Sequence, residues 1–138
     1  MTAAEIQRFL DKVFPQAENA GVIEEAGLKR ARVRRAVTAA DLRPGGTVSG
    51  PTLMALADYA TYIALLAEIG PVELAVTTHL SINFLRRPGL KDVIAEAELL
   101  KVGNRLAVGE VYLYSEGDSE PIAHATATYS IPLPDKRG

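Results

Sequence analysis

Two periods of hydrophobicity run along the chain. Within residues 4–14, Ile6, Phe9, Leu10 and Val13 recur at three- and four-residue spacing, which predicts a short amphipathic helix, and Pro15 lies just beyond to stop it. From Gly21 to Val37 the pattern is extended and charge-rich, and it predicts two strands broken near Gly27. The next segment, DLRPGGTVSGP, is built from glycine, proline and serine and reads as a loop. Residues 51–69 (PTLMALADYATYIALLAEI) then form an alanine- and leucine-rich run with no internal glycine or proline after Pro51. They predict a helix roughly 28 Å long at 1.5 Å per residue. It is apolar nearly all round, as a helix buried on most of its faces would be, and Gly70-Pro71 ends it.

The remainder follows a period of two. Between Leu74 and Arg86 the even positions Leu74, Val76, Leu80, Ile82 and Phe84 are apolar, while Thr77, His79, Ser81 and Asn83 take the odd ones. That predicts a strand with one wet face. Residues 93–102, 106–115 and 122–131 are also strand-like. Gly103-Asn104 and Glu116-Gly117-Asp118-Ser119 supply hairpin turns between them. Consecutive hairpins predict an antiparallel meander. The fold class is therefore α+β: three or four antiparallel strands curled around one long central helix. Such a sheet has open edges, and pairing with a second copy would protect them, so at least a homodimer is expected.

Composition sets the frame. The 138 residues suit a single domain over 1–138, with 1–20 as an N-terminal helix and lead-in. At 48% hydrophobic and 23% charged, the chain has the makeup of an ordinary globular domain. Fifteen basic and seventeen acidic residues give a net charge of -2, which disfavours a nucleic-acid binder. The absence of cysteine excludes disulfides, thiolate metal sites and cysteine nucleophiles. The longest uncharged runs, 44–57 and 121–134, fall short of the roughly twenty residues that span a bilayer. With no secretory pattern at the start, a cytoplasmic location and no membrane partner are expected.

The sharpest chemical anomaly is Asp58, a carboxylate in the middle of the apolar helix. It is costly there unless paired, hydrogen-bonded or functional. Thr61 and Tyr62, three and four residues on, would form a polar seam with it, either as a site in a cleft or as the helix's one solvated stripe. The preceding Ser49-Gly50-Pro51-Thr52 places Pro51 near the first helical position and Gly50 at the cap, with bare amides pointing outward. Such amides can hold an anion or polarise a carbonyl oxygen. His79 and His124 each stand alone within a strand, without metal-site spacing, and read as structural. The basic run 29–35 reads as an exposed strand matched by Glu24, Glu25 and acids on neighbouring strands.

At these residues the chain resembles a known family. Gly50-Pro51-Thr52-Leu53-Met54-Ala55-Leu56-Ala57-Asp58 is similar to the helix start of hotdog-fold acyl-CoA thioesterases of the phenylacetate-degradation type. The segments 76–86 and 101–108 resemble that family's central strands, and the likeness runs from about Gly45 to Ile131. The resemblance implies a hotdog fold and hydrolysis of an acyl-CoA thioester to a free acid and CoA, with no cofactor and no metal. It implies that Asp58 is the catalytic carboxylate, as nucleophile or general base, and that the Gly50 amide polarises the thioester carbonyl. Ser49 stands where the family usually has histidine, and Pro51 where it has a second glycine. Tyr62, with Thr61 beside it, stands where the family carries a helper hydroxyl. Arg86, Arg87 and Arg105, with the Gly103-Asn104 turn, are implied along the path of CoA. Asn83 is a candidate contact for a pantetheine amide. The family's sites lie at a dimer interface, which implies a homodimer or a dimer of dimers.

Other functions remain open at this level. A non-catalytic acyl-CoA-binding or structural protein of the same fold would explain Ser49 in place of histidine. A dehydratase would call for a histidine paired with an acid, and no histidine precedes or sits on the central helix.

Overall fold

The computed structural model describes residues 1–133. Helix α1 (Ala3–Val13) starts at a capping box: the Glu5 amide donates to Thr2 Oγ1 at 3.2 Å, and the Thr2 amide donates to the Glu5 carboxylate at 2.8 Å. It buries Ile6 and Leu10. Strands β1 (Val22–Gly27) and β2 (Arg30–Arg35) form a hairpin. Its turn falls at Leu28 and Lys29, both at positive φ (53° and 64°), one residue past the break expected at Gly27. The segment expected to be loop holds a two-strand ribbon, β3 (Leu42–Arg43) and β4 (Thr47–Val48), folded back through Gly45 and Gly46. Helix α2 (Gly50–Ile69) follows, then β5 (Val76–Phe84), β6 (Val93–Val102), β7 (Leu106–Ser115) and β8 (Ala123–Ser130).

The main sheet has six antiparallel strands in the order β1-β2-β6-β7-β8-β5. The expected meander is β6, β7 and β8. The expected three or four strands become six, because the β1–β2 hairpin joins the sheet alongside β6 and β5 crosses to the far side to pair with β8.

Helix α2 touches all six strands. Six flat strands would span roughly 24 Å, about twice the width of a helix, so one helix reaches them all only because the sheet curls around it. By length and composition α2 could cross a bilayer, but ten of its twenty residues are buried in this fold. The inward residues of β8 (Ala123, Ala125, Ala127, Tyr129) are buried and alternate with half-buried outward ones. At β7 the approach is close: a Cβ on Gly109 would lie 3.3 Å from Thr61 Cγ2. Leu56, Leu65 and Leu66 are almost fully buried, each contributing about 1.5–3 kcal/mol.

The entry to α2 is held by Asp41, the most deeply buried acid of the described residues. Arg35 Nη2 lies 2.7 Å from its Oδ1, and the Thr38 amide donates to its Oδ2 at 2.9 Å. Its carbonyl accepts the Ser49 amide at 2.7 Å. Burial opposes ionisation of Asp41, but the Thr38 amide and Arg35 outweigh it and hold the carboxyl below its ordinary range. On the outer face, Arg30, Arg32 and Arg34 pair with Glu24, Glu96, Glu98, Asp92 and Glu116. The basic run is thus the neutralised outer face of a strand.

Candidate active site

One face of α2 carries Ala55, Asp58, Tyr59 and Tyr62, at helical spacing. With Thr77 of β5 and Tyr129 of β8 it lines a cavity of about 620 Å³. Asp58 is half-buried there. Its Oδ1 accepts a hydrogen bond from Thr77 Oγ1 at 2.6 Å and another from Tyr129 Oη at 2.6 Å. No hydrogen bond reaches its Oδ2 from the described residues, so one carboxylate oxygen is tethered and the other is available. The Tyr129 ring lies near-parallel to that of Tyr62, with centroids 6.0 Å apart. Burial and then the Asp58 charge push the Tyr129 phenol far above its ordinary pKa, so it remains a donor. Burial likewise pushes Tyr59 up to about 12. The cavity is therefore apolar, aromatic and neutral apart from the carboxylates of Asp58 and Glu73 at its lining.

The other anticipated elements lie elsewhere. Ser49, not Gly50, is the N-cap of α2: its Oγ accepts the Thr52 amide at 3.4 Å and lies 2.9 Å from Thr52 Oγ1. Gly50 is the first helical residue and Pro51 the second, so the Gly50 amide has no acceptor within the helix. Gly50 faces Phe84 closely, since a Cβ there would stand 3.2 Å from the ring. The two share a second concavity, of about 510 Å³, with Arg43, Arg86 and Arg87. Arg86 also pairs with Glu120.

Thr61 does not join a polar seam with Asp58. It is buried toward β7, its hydroxyl donating to the Ala57 carbonyl at 2.9 Å. Tyr62 does line the Asp58 cavity, with its hydroxyl 3.4 Å from the Glu73 carbonyl. Asn83 faces outward opposite His124 and lines neither concavity. The Gly103-Asn104-Arg105 turn sits at the end of the sheet where Ala107 pairs with Tyr129, which is the Asp58 end. His124 packs against Tyr112 on the outer face, with ring centroids 4.6 Å apart and planes tilted by 50°, and His79 is exposed opposite the outward Thr128.

Thr77 and Tyr129 are the site residues that the sequence reading passed over. Strict alternation assigned Thr77 to the wet face of β5 together with His79. A bulge between Thr77 and His79 resets the register, so that Thr77 pairs with the inward-facing Tyr129 while His79 pairs with Thr128. Bulges commonly re-aim a side chain beside a site. The same reset leaves Val76 more than half exposed at a position expected to be buried. The only advance signal for Tyr129 was that a tyrosine in a core strand needs a partner for its hydroxyl.

Residues 45–122 match the model of the thioesterase superfamily. The chain belongs to that superfamily. Its reaction class is thioester hydrolysis, and the match takes in Gly50, Asp58 and Thr77 but not Tyr129. A proposed thioesterase from a Silicibacter species is 45% identical, with 92% of this chain and 89% of that one covered at a TM-score of 0.84. A phenylacetic acid degradation-related protein of Ralstonia eutropha, also a proposed thioesterase, is 26% identical over 94% of this chain and 98% of that one, at a TM-score of 0.81. Zebrafish thioesterase superfamily member 2, at 21% identity, 96% and 99% coverage and a TM-score of 0.82, shares the fold. Among curated proteins no significant match is found. The sheet curled around α2 is the hotdog fold of this superfamily.

Proposed function

We propose that the chain hydrolyses acyl-CoA thioesters, and that it does so as a homodimer whose sites combine the Gly50 end of one α2 with Asp58 of the other. The reading rests on the Asp58 carboxylate, with Oδ1 tethered by two hydroxyls and Oδ2 left available at an apolar cavity. Within one chain the parts are separated. Gly50 and Asp58 are eight residues apart on α2, about 12 Å, and they open into different concavities. Thr77 and Phe84, their neighbours on β5, lie roughly 20 Å apart along the strand.

Strand β5 offers the means of joining them. It is a sheet edge of nine residues without a single Lys, Arg, Asp or Glu, and such an edge invites a partner strand. Antiparallel pairing about a twofold axis near Leu80 and Ser81 would set Thr77 opposite Phe84 of the partner subunit. That operation carries the partner's Gly50, Arg86 and Arg87 toward Asp58. A site completed in this way draws on both chains.

In the proposed reaction the thioester oxygen accepts the Gly50 amide at the positive end of the α2 dipole. Asp58, ionised, takes a proton from water as that water attacks the carbonyl carbon. The resulting oxyanion is held at the Gly50 amide; its collapse breaks the C–S bond and releases the CoA thiolate, which takes up the proton, leaving the free acid. Direct attack by Asp58 through an acyl-aspartyl anhydride needs the same free oxygen, and single turnover in labelled water distinguishes the routes by placing label in Asp58. Arginines at the Gly50 end supply charge for the CoA phosphates.

The deciding experiment follows CoA release with a thiol reagent across short, medium, long and aryl-acetyl esters. A cysteine-free chain adds no background. Asp58→Asn is expected to lose about a thousandfold in kcat with an unchanged melting temperature. Absence of turnover, with thermal stabilisation by CoA esters, would replace this reading with that of a binding protein.

A further inference from the structure

The cavity beside Asp58 has a wall that comes from outside the span of the family model. Residues 45–122 match that model, whereas Val13, Phe14 and Ala20 also line this cavity. Phe14 is 41% exposed and is the large aromatic of this wall.

The segment is held firmly. Helix α1 ends where the Phe14 amide donates to the Leu10 carbonyl at 2.7 Å, and Pro15 turns the chain into a 3₁₀ turn (Pro15–Asn19). Ala17 of that turn is buried. The Asn19 carbonyl accepts Arg35 Nη1 at 2.7 Å, and the same guanidinium pairs with Asp41. Ile6 and Leu10 anchor α1 in the core, and the terminal amine donates to the Ala67 carbonyl at 2.9 Å. The wall is thereby fixed to the same framework that carries α2.

We infer that the N-terminal segment, through Val13 and Phe14, is the stop that limits how long an acyl chain the site accepts. This deepens the proposed function and rests on it: with the thioester carbon at Asp58, an acyl tail entering the cavity runs along Ala55 and Tyr59 toward Phe14. Helix α2 with β5 and β8 then supplies the reaction, and the lead-in supplies the length selection.

The test compares wild type, Phe14→Ala and Phe14→Trp over a homologous series of saturated acyl-CoA esters. It reads both kcat/KM and thermal stabilisation by each ester, with circular dichroism to confirm that α1 stays folded. Each methylene newly accommodated is worth about fourfold in relative kcat/KM. Phe14→Ala is expected to shift the optimum to longer chains, by tenfold or more in the long-to-short ratio, and Phe14→Trp to shift it to shorter ones. An unchanged ratio in both variants with turnover retained overturns the inference and leaves the hydrolase reading intact. If wild type shows no turnover the hydrolase reading fails. The stabilisation series still decides the wall: a Phe14-dependent shift in preferred chain length supports it, and no shift overturns it.

Discussion

The two ends of the exposed face of α2 are built from opposite materials. At the Gly50 end there are three arginines, a first-turn amide with no acceptor within the helix, and a serine cap whose amide donates to the Asp41 carbonyl. At the Asp58 end there is an aromatic cavity in which a carboxylate is held by two hydroxyls. One end suits an anion and a carbonyl oxygen; the other suits an apolar chain and an attacking group. In the proposed reaction neither end is complete alone, which is why an uncharged sheet edge running between them becomes informative. In the proposed reading, the difference means that the fold distributes one reaction over two half-sites and leaves assembly to unite them.

The strongest way to break that comparison is to disable each end in a different chain. Gly50→Pro deletes the proposed donor at a helical position whose backbone tolerates proline, with the Phe84 ring yielding a few tenths of an ångström. It is expected to lower kcat by about 100- to 1000-fold, with Tm measured to show that the fold is kept. Asp58→Asn removes the other half. Alone, each variant should be nearly silent. Unfolded and refolded together in equal amounts, they should regain about a quarter of wild-type activity, because half the dimers are mixed and each mixed dimer has one intact composite site. No recovery, with mixed dimers demonstrated, would place each site within a single chain.

A smaller effect, on stability, sharpens the Gly50 end. Asp41→Asn should cost about 3 kcal/mol by leaving the half-buried Arg35 without its counterion, seen as a fall in Tm of about 10 °C. The sign with pH follows from the depressed Asp41 pKa. Its contribution is complete above the ordinary value of 3.8 and is lost as pH falls through the lower folded value. Acid titration monitored by circular dichroism should therefore find wild type losing stability below about pH 4 more steeply than the variant does.

The smallest effect sharpens the Asp58 end. Tyr129→Phe and Thr77→Val each remove one hydroxyl from Oδ1 and should lower kcat about tenfold with little change in KM, in keeping with a hydrogen bond to a charged group. Since both hold the same oxygen, the double variant should lose less than the product of the two. A change confined to KM, or strict additivity, would assign these hydroxyls to packing.

Much of this was legible before any fold was known. Asp58 stood out because a carboxylate in an apolar helix is expensive wherever that helix ends up. The helix itself, the β1–β2 hairpin and the β6–β7–β8 meander follow from periodicity and turn residues, which act between near neighbours. The Ser49–Thr52 cap was missed by one residue, since capping depends on backbone geometry that glycine and proline permit at more than one position.

What could not be read along the chain depends on contacts between distant residues. The crossing of β5 to pair with β8, the bulge that turns Thr77 inward, the placing of Tyr129 against Asp58 and the burial of Thr61 all involve partners far apart in sequence. A one-residue change of register swaps the two faces of a strand, and nothing local to residues 74–86 announces it. Residue types could therefore nominate the acid and the amide. Only the packing of strands around α2 decided which hydroxyls hold that acid, and that it and the amide open into separate concavities.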